Sequence, residues 1–283
     1  MELALQAVAN GLVVGAMIGL LALGLTMVFG IAKFANVAQG DLATVSAYIA
    51  LTLQSVVGSF VIAAGSAIVV GTLVVVAVYA VAFRRLARSS PVALLVTSIG
   101  VALALRAIVS LIWGVRLQAY DLPIARGMVL GPIRLTPTDF GILMTSSVVV
   151  AAIYLMLYRT RSGIEMRAVA DEPDLARVSG INSRRVIITM WIANGLLVSV
   201  GGILLGMKAA LTPLLGWNIL LPAFAATILG GIGSPVGAVT AGIVVGVSTE
   251  LAALLLNPAY KQAVAFIVLA AVLLWRPRGL LAA

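Results

Sequence analysis

The sequence predicts an all-α polytopic membrane protein: a bundle of eight or nine membrane segments with helix breaks and one short helix pair on the cytoplasmic side. Three observations predict it. Only 10% of the 283 residues are charged and 63% are hydrophobic, with a mean hydropathy of +1.20, whereas a soluble domain carries charge on about a quarter of its residues. Long, nearly uncharged runs recur, and a helix needs about 20 apolar residues to cross a bilayer. Arginines gather in the connections between these runs.

The apolar segments lie at about 5–32, 36–57, 60–83, 91–113, 138–158, 186–209, 217–232, 236–256 and 260–275. The first is long for one span, which permits tilt or an irregular part. It has no basic start and is too long for the apolar core of a secretion signal. Between the fourth and fifth, an outer loop at about 114–137 carries Pro123, Pro132 and Pro137 with Gly127 and Gly131. Alternation in PIARGMVLGPIRL suggests a β-hairpin there. The seventh and eighth segments are divided only by GGIGSP, Gly230 to Pro235. They read either as two spans joined by a tight turn or as two half-helices around a break. Gly, Ala and Ser fill many spans, as close helix packing in lipid favours. Residues 1–283 read as one transmembrane domain.

Basic residues form three clusters: Arg84, Arg85 and Arg88; then Arg159, Arg161, Arg167, Arg177, Arg184 and Arg185; then Arg276 and Arg278. With Lys33, these place 12 of the 18 Lys and Arg on one side, which the positive-inside rule makes cytoplasmic. Nine spans would put the N-terminus outside and the C-terminus inside, whereas eight would require a re-entrant segment. The net charge of +9 therefore orients helices and marks no nucleic-acid partner. The chain has no Cys and no His, which excludes disulfides and thiolate metal sites and removes the commonest general base. No G-x-x-x-x-G-K-[ST] phosphate loop occurs. Catalytic and metal sites are expected to be absent.

One segment departs from the oily background: Glu165 to Gly180, EMRAVADEPDLARVSG, within a cytoplasmic loop at about 159–185. It reads as two short helices broken near Pro173, which suits a first helical turn. Asp171 or Glu172 is placed to cap the second piece and Asp174 suits its positive end. Arg177 falls late in it, and Gly180 fits the left-handed stop. Ala168, Val169, Leu175 and Val178 give the pair an apolar side. An ordered, charged element with an apolar side suits a docking surface for a soluble partner better than a tether.

Polar groups inside spans are costly and mark candidate functional positions. They are Asn10, Gln39, Asp41, Thr44, Arg106, Asn194, Lys208 and Glu250. Asp41 reads either as a helix cap or as a transport residue. Arg106, near the outer end of its span, can snorkel, and Lys208 reads as an outer anchor. Glu250 would pair with Lys261 or line a path. FGIAKFANVAQGD and LGGIGSPVGA both put Gly and polar groups at helix interruptions, from which transporters often build their paths. The candidates for a translocation path are therefore Asn36, Gln39, Asp41, Gly230, Gly231, Gly233 and Ser234. No side chain reads as a dedicated binder of an amino-acid ammonium or carboxylate.

GIEMRAVADEPDLARVSGIN resembles the cytoplasmic loop of the permease subunits of branched-chain amino acid ABC importers, the LivH type. GLTMVFGIAKFANVAQGDLATVSAYIA (Gly24 to Ala50) and AFAATILGGIGSPVGAVTAGIVVG (Ala223 to Gly246) resemble two further blocks of that family in the same order. The resemblance covers essentially the whole chain. It implies a permease that passes branched-chain or related amino acids by alternating access, in a bacterial or archaeal cell membrane (the inner one where there are two). It implies partners: a second, LivM-like permease, two ATPases that carry ATP and Mg, and a periplasmic or lipid-anchored substrate-binding protein. It implies that the charged loop seats in an ATPase groove, making Glu165, Arg167, Ala168, Asp171, Glu172, Pro173, Leu175, Arg177 and Gly180 the coupling residues. The resemblance implies no cofactor in this chain and no enzymatic activity of its own. The alternative class is an ion-gradient-driven secondary transporter, which would be expected to show titratable residues in mid-span.

Overall fold

The computed structural model describes all residues except 1, 87–88, 124–126, 131–132, 256–260 and 276–283. Arg88, Arg126, Arg276 and Arg278 lie outside the described residues, as does the side chain of Lys261. Each apolar segment is a helix. In order these are α1 (Glu2–Ala32), α2 (Gln39–Val57), α3 (Phe60–Val78), α4 (Pro91–Trp113), α5 (Pro137–Arg159), the short pair α6 (Arg161–Asp171) and α7 (Pro173–Val178), α8 (Ser183–Lys208), α9 (Leu215–Gly230), α10 (Pro235–Leu255) and α11 (Lys261–Trp275). Among the described residues, seven helices are long and apolar enough to cross a membrane, while α9 and α11 are shorter. The outer hairpin forms from β1 (Met128–Leu130) and β2 (Ile133–Leu135), paired antiparallel. Gln6 near the start of α1 bonds the Arg134 backbone in both directions. At the other end of α1, Lys33 reaches the Ala170 carbonyl of α6. The N-terminus and the hairpin therefore share one side, and the charged pair lies on the other.

Burial sorts the helices into two layers. In α1, 78% of the most apolar stretch is buried, against 22% in each of α3, α4 and α5. The outer helices accordingly present bare aliphatic side chains such as Val69, Leu103 and Val148. Helix α1 is continuous for 31 residues, with none of the irregularity its length permits. Toward its C-terminal end, α3 loosens into a π-helical turn, Tyr79–Phe83. That turn stacks Tyr79 and Phe83 on Trp191 at 5.2 and 5.3 Å and brings Phe83 to Phe34. On the outer side, Gln118 and Leu211 bridge the two loops, and the Tyr120 hydroxyl donates to the Ala47 carbonyl. Burial pushes the Tyr120 phenol above its ordinary range.

The longest close helix contact is made of glycines. Gly11, Gly15 and Gly19 lie four apart on one face of α1. They meet Gly242 and Gly246 of the antiparallel α10 with backbone against backbone. A methyl on Gly246 would sit 2.4 Å from the Gly15 Cα, and one on Gly242 would sit 2.5 Å from the Gly19 Cα. In lipid, where apolar surface gains little by leaving the solvent, such close approach supplies the dispersion contact that holds helices together. A similar approach joins the first turns of α2 and α9 at Gly40 and Gly216, where the Gly216 N–H donates to Thr44 Oγ1 at 2.9 Å.

Gly246→Ala is expected to destabilise the protein by about 1–3 kcal/mol through overpacking. Gly65→Ala, on an open face of α3 with no atom within 4 Å, should be neutral or stabilise by up to about 1 kcal/mol. Unfolding midpoints of the two variants in mixed micelles check this, and equal midpoints would remove the glycine contact from its central place.

Candidate functional site

The helix pair forms where the sequence puts its break. Pro173 opens α7, and Gly180, with φ +84, ends the turn after it. Thr160 caps α6 by accepting from the Gly163 N–H. The capping expectation for α7 is corrected in detail: Glu172 holds the cap position without a side-chain bond, and Asp171 is the last residue of α6. The single apolar side is also divided. Val169 is buried and Ala168 half-buried against the bundle, whereas Leu175 and Val178 point outward, 65% and 87% exposed. Arg167, Asp171, Glu172, Pro173, Arg177 and Gly180 are exposed beside them, and Glu165 is half-buried. Arg167 lies over the Tyr158 ring at 4.9 Å. The Arg177–Asp174 pair is solvated at 3.8 Å and contributes little to stability. Lys33, a non-glycine residue at φ +57, donates to the Ala170 carbonyl at 2.7 Å, tying the end of α1 to α6.

Between α1 and α2 the chain re-enters the protein as a buried irregular stretch. Phe34, Asn36 and Ala38 are each at most 3% exposed. Buried backbone in a membrane protein must find partners in the protein. The Val37 N–H donates to Ser98 Oγ at 3.1 Å, and the Ala38 N–H donates to Asn36 Oδ1 at 3.2 Å. Gln39 and Asn194 then bond each other reciprocally. Gln39 Nε2 donates to Asn194 Oδ1 at 2.8 Å, and Asn194 Nδ2 donates to Gln39 Oε1 at 3.2 Å. The pair packs on Gly24, where any side chain would displace it.

Asp41 does not cap α2. The cap position is Ala38, and Asp41 lies one turn further on. Its carboxylate takes a two-pronged bond from Arg106, Nε to Oδ1 at 3.0 Å and Nη2 to Oδ2 at 3.1 Å. Arg106 also lies over the Trp217 ring at 4.8 Å. Arg106 therefore does not snorkel; it turns inward because a buried carboxylate offers a matched fork. Lys208 pairs with Asp139, which also closes the capping box of α5 with Thr136.

Gly230, Gly231, Gly233 and Ser234 lie apart from this polar interior. They form the tight turn between α9 and α10, with Gly231 and Gly233 at positive φ and Ser234 Oγ accepting from the Gly237 N–H. Of the two readings of GGIGSP, the structure has the turn. It sits beside the cytoplasmic end of α1, with Gly30 next to Gly233. The two interrupted motifs thus touch at Gly30 and Gly233, while Asn36, Gln39 and Asp41 face other partners.

Nearer the outer side, a cavity of about 660 Å³ lies between α1, α9 and α10 and beneath the 209–212 connection. Met17, Ile18, Leu205 and Ile219 line it, together with Lys208, Asn218, Pro222, Thr249 and Glu250. Asn218, Pro222 and Trp217 escaped the sequence reading. A proline inside an apolar segment was the available signal, since Pro222 stands within α9 and supplies no N–H to the carbonyl four residues earlier.

Paired charges and amides lie inside a multi-pass helical membrane bundle, with an exposed helix pair at the end where α1 meets α6. The family described as "Branched-chain amino acid transport system / permease component" matches residues 7–273, and the chain belongs to it. It is similar to the high-affinity branched-chain amino acid transport system permease protein BraD of Pseudomonas aeruginosa, with 31% identity over 98% of this chain and 95% of the relative. It is equally similar to LivH of Escherichia coli K12, a permease protein of the same description, with 30% identity over 98% and 95%. In fold it is similar to PsaBC from Streptococcus pneumoniae, solved in complex with Fab, with a TM-score of 0.50 at 14% identity over 97% of this chain and 91% of that one.

Arg106→Leu strands a buried carboxylate and is expected to cost about 3–5 kcal/mol. The double variant Asp41→Leu/Arg106→Leu should cost less than Arg106→Leu alone. Thermal unfolding in detergent tests the pair, and strictly additive losses would count against it.

Proposed function

We propose that the chain is the permease subunit of an ATP-driven importer for branched-chain or related amino acids. It would work with a second, LivM-like permease, two ATPases that bind ATP and Mg, and a substrate-binding protein outside the membrane. The observation that carries this reading is the relationship to the branched-chain amino acid permeases along nearly the full chain. The ATPases drive alternating access through α6 and α7. Leu175 and Val178 lie exposed among Arg167, Arg177, Asp171 and Glu172, the mixture of apolar and charged groups that a seat in a protein groove requires. Glu165 and Ala168 support the pair from its half-buried side. Motion enters through α6, passes to α1 at Lys33, and from α1 reaches the Asn36, Gln39 and Asp41 region and the Gly230–Ser234 turn.

An ion-gradient-driven transporter is the second reading, and the charges disfavour it. Asp41 and Asp139, both within spanning helices, are held in ion pairs with Arg106 and Lys208. Neither is a free carboxylate available for a proton or a sodium ion to cycle on and off.

The coupling role is tested with Arg177→Glu combined with Val178→Asp, and separately with Arg167→Glu or a proline at Ala168. Each is expected to lower ATP-dependent amino-acid uptake more than tenfold and to abolish stimulation of the ATPases by the loaded binding protein. The assembled complex should still be recovered from the membrane. Wild-type uptake in these variants would remove α6 and α7 from the coupling role.

A further inference from the structure

A second cavity, of about 520 Å³, lies between α5 and α10. Its walls are aliphatic: Val150, Ala151 and Leu155 from α5, Leu23 from α1, and Val236 and Val239 from α10. Helices α5 and α10 hardly touch each other. Ala151, Leu155 and Val236 are exposed, so the cavity is a groove in the lipid-facing surface. Along α5 it runs from Ser147 to Leu157, which at 1.5 Å per residue is about 15 Å. That is half of the roughly 30 Å hydrocarbon core of a bilayer, so the groove is as long as one leaflet is deep. Its lower end, at the joint of α5 and α6, is aromatic and basic. Tyr154 lines the groove, and its ring lies 4.5 Å from that of Tyr158, which Arg167 covers at 4.9 Å. Arg159 closes α5 and Arg161 opens α6. All three arginines are exposed, and among the described residues none forms an ion pair with a carboxylate. A smaller cavity, of about 50 Å³, adjoins the groove at Leu157 and Pro235, which line both. Thr26 and Arg167 line it too, and the Thr26 hydroxyl is buried without a hydrogen-bond partner. Orienting the helices requires only charge in the connection. It requires neither a groove one leaflet long leading up to that charge nor an open hydroxyl beside it.

We propose that this groove binds an anionic phospholipid from the leaflet that the basic connections face, which the positive-inside rule makes the cytoplasmic one. One acyl chain lies in the groove against Val150, Leu155 and Val239. The phosphate lies at Arg159 and Arg161, as basic pockets between membrane helices hold anionic head groups, and Arg167 adds positive potential from above Tyr158. Thr26 donates its hydroxyl to the ester region beneath the phosphate. A zwitterionic lipid fits the groove equally well but brings its own cation against the arginines, so the site selects for net negative charge. The bound lipid fills the gap between α5 and α10 and braces α5, together with the α6 that continues from it, against the rest of the bundle. The site does not depend on the importer reading.

The test uses the full chain, with the subunits that copurify, in nanodiscs of phosphatidylcholine. The probe is a phosphatidylglycerol carrying a diazirine on one acyl chain. Saturable labelling is expected on the peptides containing residues 150–155 and 236–239. Unlabelled phosphatidylglycerol should compete. Equal additions of phosphatidylethanolamine, or of the chain-free head group glycerophosphoglycerol, should not. The double variant Arg159→Gln/Arg161→Gln should weaken labelling by roughly tenfold or more. Ala151→Trp, which fills the groove, should abolish it. Val69→Trp, on the exposed face of α3, should leave it unchanged and guards against an effect of bulk alone. Labelling that does not saturate, equal competition by phosphatidylethanolamine, or wild-type labelling in the double arginine variant overturns the proposal. So does crosslinking of Ala151→Cys to a copurifying subunit in place of lipid, since a partner helix then occupies the groove. Labelling is read without ATP or amino acid. A complex that takes up the lipid but imports nothing therefore overturns the importer reading and leaves this site standing.

Discussion

The reciprocal amide bond between Gln39 and Asn194 fixes the place where the chain stops being a simple bundle. A helix that ends inside a membrane protein leaves carbonyls and amide hydrogens that no water will satisfy. Here the return from α1 into α2 meets that demand at two amides: Ser98 from α4 accepts from the Val37 N–H and Asn36 from its own loop accepts from the Ala38 N–H, while Asn194 from α8 holds the Gln39 side chain. These bonds let the Val37 and Ala38 amides stay buried in the irregular stretch. The group also sets the position of α2, and with it the approach of Gly40 to Gly216 and the reach of Asp41 to Arg106.

The rest of the packing follows from which helices tolerate close approach. Helix α1 carries glycines on the face toward α10 and again at Gly24 beneath the amides. Other helices can therefore press against it from several sides, as they do against α8 at Gly195, Gly201 and Gly202. The outer helices use such contacts on their inner faces only, as Gly71 of α3 does against Ser46 and Ser199, and show aliphatic side chains outward, because lipid makes no demand for polar cover.

Sequence and structure agree most where the physics is local. Lipid turns hydrophobicity into a length signal, so among the described residues each apolar segment coincides with a helix to within a few residues. Pro173 and Gly180 are legible because each has its own backbone demand, and the hairpin is legible from its alternation. Pairing across the chain was not legible. Asp41 and Arg106 are 65 residues apart, and each taken alone reads as a cap or a snorkelling anchor. The apolar residues of α6 and α7 look alike in sequence, yet Val169 is covered and Val178 bare, because the turn at Pro173 reorients the second helix. GGIGSP reads equally as turn or break until Gly30 is seen beside it. The outer cavity depended on Pro222, whose effect falls on a neighbour's carbonyl and leaves no mark in composition.

The unbroken length of α1 has a mechanical consequence. At 1.5 Å per residue, its 31 residues make a rod about 46 Å long. Lys33 fastens one end to α6, and Gln6 fastens a point near the other to the outer hairpin. A tilt of about 10° about the cytoplasmic end would carry the far end sideways by roughly 8 Å, from this same rise per residue. That is more than the width of an amino-acid side chain. The stiffness of one helix is thus enough to turn a small push below the membrane into the opening or closing of a chamber above it.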